Sequence, residues 1–326
     1  MYTGMDTVSM LYEMMGVEDE WAVRYENGFK WWPCERAQTV EILGEVDGPE
    51  GERGCYISIR MEVFKSESLD PALMKLLNQG IMTCPSLAGL VYNRRKGLME
   101  LCSWAPVYEH SSRWMPVLLG MAAGMQLFEA DTVCFILENE KESAESGHPE
   151  NGIRREVHEI YGLGSAVFQT GSQEPSRWEA EEFTEAIDLV CKLPLNFSAA
   201  AEGPGLSAEF PFGSRLSLFR MIADIPHCGY GNGLHQIHHF PVARKPGDDD
   251  KWIKKALELN KPVVSSDPPG FGFGSYVYRY GMIIHASFLP NALHNRGLLP
   301  NLLLAAGARA EAMDKELAGE RRNKNE

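Results

Sequence analysis

From Tyr56 to Phe64 the chain alternates: Ile57, Ile59, Met61 and Val63 are apolar, with Tyr56, Ser58, Arg60 and Glu62 between them. A period of two puts these sets on opposite faces of a strand and predicts a half-buried sheet. The turn composition Asp47-Gly48-Pro49-Glu50-Gly51 joins this strand to a second β-rich run, Gln38–Leu43, as a hairpin. Leu87–Tyr92 and Leu98–Trp104 flank Asn93-Arg94-Arg95-Lys96-Gly97 as another. Between the hairpins, Asp70-Pro71 opens a helix that runs to Asn78. The aspartate can cap free backbone N–H groups, and proline fits a first turn. Met115, Leu118, Leu119, Ala122 and Met125 recur at helical spacing and predict a helix over Arg113–Ala130. An amphipathic helix over Met5–Met15 and the aromatic run Phe29-Lys30-Trp31-Trp32 precede all of these.

The second half of the chain follows the same plan. Strands are expected at Arg215–Ile222 and Leu234–Val242, then a helix from Asp248-Asp249-Asp250 to Asn260 whose acidic first turn suits the helix dipole. A loop, Pro268–Gly274, leads to strands at Ser275–Tyr278 and Met282–Phe288. A final helix carries Leu299, Leu302, Leu303, Ala306, Ala310, Met313 and Leu317. Identities support the parallel: Gly97, Ser103, Pro106, His110, Pro116, Leu118, Leu119 and Ala122 recur as Gly281, Ser287, Pro290, His294, Pro300, Leu302, Leu303 and Ala306, all at one offset. Val91-Tyr92 likewise answers to Val277-Tyr278, and Leu77-Asn78 to Leu259-Asn260, at offsets that differ by two residues because turns change length. A constant offset over so many positions indicates a duplicated unit. The expected fold class is α+β, two tandem domains each with an antiparallel sheet packed with helices. Their bounds are 1–137 and 206–326, joined by a helical linker over 138–205 with helices at Ile153–Tyr161 and Ser176–Cys191.

Composition narrows the function. A formal charge of -14 over 326 residues argues against a nucleic-acid partner, which needs concentrated Lys and Arg. The N-terminus lacks a basic start with a long apolar core, and no apolar stretch reaches the roughly 20 residues of a membrane span, so a cytoplasmic location without membrane contact is expected. Seven scattered cysteines without a Cys-x-x-Cys pair predict reduced thiols and no structural zinc.

Candidate chemistry is sparse. His227, His235, His238 and His239 could hold a metal or carry protons, but on a strand His238 faces away from His235 and His239. His158-Glu159 begins a zinc-protease pattern that fails at Gly162, and Gly270-Phe271-Gly272-Phe273-Gly274 precedes a strand, not the helix a phosphate loop requires. His110 and His294 occupy matched positions and read first as helix-start contacts. Trp31, Trp32, Trp104 and Trp114 read first as core, and would mark a groove if partly exposed.

The order of elements resembles the type III secretion chaperone-like fold, including the YbjN-like family. The residues that carry this are Phe29–Trp32, the helix Asp70-Pro71 to Leu77-Asn78, Val91-Tyr92, Ser103-Trp104 and Trp114–Ala130, and in the second copy the His227-to-Leu234 turn, Leu259-Asn260, Val277-Tyr278, Ser287–Asn291 and Leu298–Arg309. Chaperones of that fold are acidic dimers that wrap an extended client segment. The resemblance therefore implies a non-enzymatic protein- or peptide-binding protein, without cofactor, whose tandem copies act as a pseudo-dimer, either as a monomer or as a homodimer. Binding residues are sought at Trp31, Trp32, Trp104, Phe288, His110 and His294. The alternative is a metal-binding protein or enzyme built on His227, His235, His238 and His239.

Overall fold

The computed structural model describes residues 4–48, 51–83, 85–137, 144–160, 174–243, 245, 247–264 and 272–322. Parts of the predicted 47–51 turn and 268–274 loop lie outside them. The first half runs α1 (Gly4–Met14), β1 (Ala22–Tyr25), β2 (Gly28–Trp31), β3 (Gln38–Asp47), β4 (Arg53–Lys65), α2 (Pro71–Thr83), β5 (Gly89–Asn93), β6 (Leu98–Tyr108) and α3 (Met115–Leu137). The second repeats it as α4 (Ala180–Val190), β7 (Ser198–Ala201), β8 (Gly205–Phe212), β9 (Arg215–Ala223), β10 (Gly233–Pro241), α5 (Asp249–Leu259), β11 (Ser275–Arg279), β12 (Met282–Pro290) and α6 (Leu298–Arg322). Two six-stranded antiparallel sheets result, β1-β2-β3-β4-β6-β5 and β7-β8-β9-β10-β12-β11, so the fold is α+β in two similar halves.

Local chemistry accounts for the boundaries. The Asp70 carboxylate accepts the Leu73 N–H at 2.8 Å and opens α2. Gly97 and Gly281 both take positive φ, 61° and 78°, in the turns of the β5–β6 and β11–β12 hairpins. In β4 the Ile57, Ile59, Met61 and Val63 face is fully buried, and α3 packs across β4 and β6. By length and composition, Met115–Cys134 within α3 passes the test for a membrane span; it is the core helix of its half.

Two expectations about the linker change. Residues 180–190 form α4, which packs on β7 and α6, and residues 198–201 form the edge strand β7. Both therefore belong to the second half, as counterparts of α1 and β1. The strand escaped notice because Ser-Ala-Ala-Ala carries no alternation. The predicted helix Ile153–Tyr161 is not helical from 153 to 158, and Tyr161 lies outside the described residues. This stretch is tied to the first half instead. Arg154 pairs with Glu18 and donates to the Trp32 carbonyl at 3.0 Å, and the His158 N–H donates to the Pro33 carbonyl at 2.7 Å.

The halves meet through reciprocal contacts, the mark of an approximate two-fold relation. α2 packs on α5 and β11, and α5 packs on β5. The Trp104 N–H donates to Gly272 O at 3.4 Å, and its counterpart Phe288 N–H donates to Ser86 O at 3.3 Å. The matched asparagines reach the same junction, Asn260 from the C-terminal end of α5 and Asn78 from within α2, which runs on past the expected end at Asn78 to Thr83. Asn78 grips β11 twice, accepting from the Tyr278 N–H at 2.7 Å and donating to its carbonyl at 2.8 Å. Asn260 accepts from the Tyr276 N–H at 2.7 Å and donates to Leu90 O on β5 at 3.0 Å. β5 and β11 are the last strands of their sheets, and a carboxamide satisfies their outward backbone groups as a neighbouring strand would.

Candidate functional site

The aromatic residues sought as a partner groove are buried inside the chain. Trp31 is fully enclosed and donates its indole N–H to Gln38 Oε1 at 3.1 Å, and Trp32 is enclosed beside His148. Trp104 and Phe288 form the reciprocal contacts between the halves, where a Cβ at Gly272 would overlap the Trp104 indole. Trp31 and Trp32 are core residues of the first half, and Trp104 and Phe288 are junction residues. His110 and His294 are the exposed and half-buried members of the set. Each meets a carboxylate, Glu52 at 2.7 Å and Glu182 at 3.0 Å, and each stands just beyond the last strand of its half.

The four histidines of the second half do not converge. His227 and His235 lie side by side, ring centroids 6.4 Å apart, each against Phe288 at 4.7 Å. Burial holds His227 down to about 4, and His235 beside it acts in the same direction. His238 lies on the other face of β10, fully buried, with Nε2 3.0 Å from Ser217 Oγ. His239 returns to the first face. Among the described residues, no group of three or more His, Cys, Asp and Glu is placed to hold a metal.

Register reveals a different constellation. Ile59 pairs with Ser103 across β4 and β6, and Met61 with Leu101. At the matching places across β10 and β12, Gln236 pairs with Ser287 and His238 with His285. The constant offset that relates Ala122 to Ala306 also relates Met125 of α3 to Arg309 of α6, and the hairpin offset relates Leu90 to Tyr276. Thus five apolar positions in the first core, Ile59, Met61, Leu90, Leu101 and Met125, become Gln236, His238, Tyr276, His285 and Arg309 in the second. All are buried except Tyr276, which is partly so. Sequence reading missed the cluster because its members lie on four elements and no short motif contains them. The eight identities already gave the offset that would have found Arg309 and His285.

Their electrostatics follow from enclosure. Burial pulls the Arg309 guanidinium below its ordinary range, and Tyr276, hydrogen-bonded to it, acts in the opposite direction. Burial also pushes the Tyr276 phenol up. His238 and His285 are driven well down, first by burial and then by the charge of Arg309, so both rings are neutral at pH 7. Among the described residues, neither Arg309 Nη1 nor His238 Nδ1 has a hydrogen-bond partner.

A cleft reaches this cluster from the junction of the halves. Its cavity volume is about 30 Å³, opening into a wider, solvent-exposed mouth. Its walls are the opposed first turns of α3 (Met115, Leu118) and α6 (Leu298, Leu302), with Leu87 and its counterpart Phe273 between them. Gln236, Ser287 and Arg309 line its second-half side, beside Ala305. Ala305 answers to Met121 at the common offset, so a side chain present in the first half is missing where the cleft opens. A partly open, mainly apolar recess with a few polar groups is suited to binding. Comparison with protein-family models, curated proteins and solved structures returned no match.

Proposed function

We propose that this is a non-enzymatic binding protein, an internal pseudo-dimer of chaperone-like type, that takes a short apolar segment of a partner protein in the cleft between its halves. The observation that carries the reading is the asymmetry at the cleft: Ala305, Gln236 and Arg309 stand where the first half has Met121, Ile59 and Met125. A duplicated scaffold that needed only stability would gain nothing by placing buried polar groups there. The resemblance to chaperones that hold client segments supports the same reading, as does the absence of a nucleophile–base pair among the residues lining the cleft. A cytoplasmic setting goes with it, since the described cysteines are free thiols and burial pushes Cys34 and Cys55 up to about 11.

The test uses Ala305→Met, which restores the first half's residue and fills the cleft. A photo-crosslinker placed at Asn301, on the exposed lip, should capture a protein segment with the wild-type chain and lose it with Ala305→Met. Equal capture by both chains would sink the assignment of the cleft as the binding site.

A further inference from the structure

Resting on that reading of the cleft, we infer that it selects a carboxylate borne on an apolar body, with Arg309 as the counter-ion and Gln236 and Ser287 as flanking polar groups. The argument starts from what Arg309 lacks. A guanidinium stays charged in proteins and presents five N–H donors. This one is 8% exposed, yet among the described residues it has no carboxylate beside it; its hydrogen-bond partner is the Tyr276 phenol, and Nη1 is unpartnered. An enclosed, uncompensated charge is among the most costly arrangements in a core. The fold does not need it, because Met125 serves at the matching position. The charge is explained if its partner arrives from outside, and Arg309 lines the cleft through which it would arrive.

The rest of the cleft specifies the ligand. Leu87, Trp114, Met115, Leu118, Phe273 and Leu298 offer no charge, so the body of the ligand is apolar. His238 and His285 are held neutral beside Arg309 and add no positive charge. One unit of charge in a low-dielectric recess balances a monoanion and would leave a phosphate dianion half compensated. A planar carboxylate also matches the guanidinium fork, two oxygens to two N–H groups. This chemistry has two sources: an alkyl carboxylate, or the free C-terminus of an apolar peptide.

Binding to the full chain is measured by titration calorimetry with octanoate against octan-1-ol, and with N-acetyl-Leu-Leu-Phe as free acid against its C-terminal amide. Each acid is expected to bind at least about tenfold tighter than its neutral counterpart, the worth of one charge-assisted hydrogen-bonded pair. A preference confined to octanoate assigns the site to alkyl carboxylates, and one confined to the peptide acid assigns it to C-termini. Arg309→Met should remove the preference while neutral probes still bind, and Ala305→Met should weaken acids and neutral probes alike. If Arg309→Met does not fold, Arg309→Gln gives the same readout. Acid and neutral probes binding equally, with Arg309→Met unchanged and Ala305→Met still weakening both, would overturn the carboxylate and leave the cleft standing. Failure of every probe to bind the wild-type chain would overturn both.

Discussion

Buried imidazoles set a pH limit on this fold. His227, His238 and His285 are held below the ordinary histidine value, His227 at about 4, chiefly by burial. Well above pH 6.5 they are neutral whether the chain is folded or not, and they add no pH dependence. As pH falls from 6.5 toward 4, the unfolded chain takes up their protons first, and stability falls by up to about 1.4 kcal/mol per pH unit for each ring. Urea midpoints measured from pH 7 to 4.5 should therefore drop steeply. His238→Met and His285→Leu, which restore the first half's residues, should flatten that drop; an unchanged slope would refute the burial argument. Glu129 acts in the opposite direction. It accepts from Ser86 Oγ at 2.7 Å and Tyr230 Oη at 2.9 Å, and burial raises it to about 7 against those two hydrogen bonds. Its contribution is fully present below pH 4.5 and is lost as pH rises from there through about 7, so over that range it partly offsets the histidines, and Glu129→Gln should make the acid-side drop of the same curve steeper. Arg309→Met should raise the stability of the ligand-free chain by roughly 1–4 kcal/mol, since a well-packed apolar residue replaces an uncompensated charge.

Elements are held together across the junction by side chains that imitate backbone. Asn78→Ala would leave the Tyr278 N–H and C=O without the carboxamide that pairs with both, at a cost of about 1–3 kcal/mol for each buried group left unsatisfied. Asn260→Ala should act similarly on Tyr276 and Leu90. Chemical denaturation of each variant checks the values, and losses within a few tenths of a kcal/mol would show that water replaces the amide. The correspondence of Leu77-Asn78 with Leu259-Asn260 was legible in the chain, and so were α1, α2, α3, α5 and α6 and both β-hairpins flanking Gly97 and Gly281. What these asparagines do was not legible, because the groups they satisfy lie 16 to 200 residues away. β1 and β7 were missed for a local reason: Ala-Val-Arg-Tyr and Ser-Ala-Ala-Ala are four-residue edge strands, mostly exposed, whose burial pattern carries no alternation. The half-buried reading of β4 failed at Tyr56, Ser58 and Glu62, which are buried too; Tyr56 packs in a second apolar cluster with Val46, Val91, Cys102, Trp104 and Tyr108, and alternation along one strand does not report what is laid over its outer face. The cleft was hidden for the same reason, since its walls come from both halves.

At the scale of the whole molecule, duplication has produced two copies of one topology with unequal cores. The first half is apolar where the second is polar, and the junction places the polar core within reach of a cleft that both halves wall. Such a molecule could behave as two domains in tandem or as one folding unit, and the core decides between them. A continuous hydrophobic cluster takes in Leu87, Leu90, Met115 and Leu118 from the first half and Phe273, Tyr278, Phe288 and Leu298 from the second. The edges β5 and β11 owe part of their hydrogen bonding to the opposite half's asparagine, and the Trp104 and Phe288 backbones each bond to the opposite half's loop. Neither half can therefore open without exposing apolar surface and unpaired backbone in the other, which raises the cost of any half-unfolded state. Calorimetry of the intact chain is expected to show one transition whose calorimetric and van't Hoff enthalpies agree. Asn78→Ala combined with Asn260→Ala, which cuts the reciprocal ties while leaving both cores intact, should bring the transition toward two. Two separate transitions in the wild-type chain would mean that the halves are independent domains in contact, and the cleft between them would then be free to open and close with their relative motion.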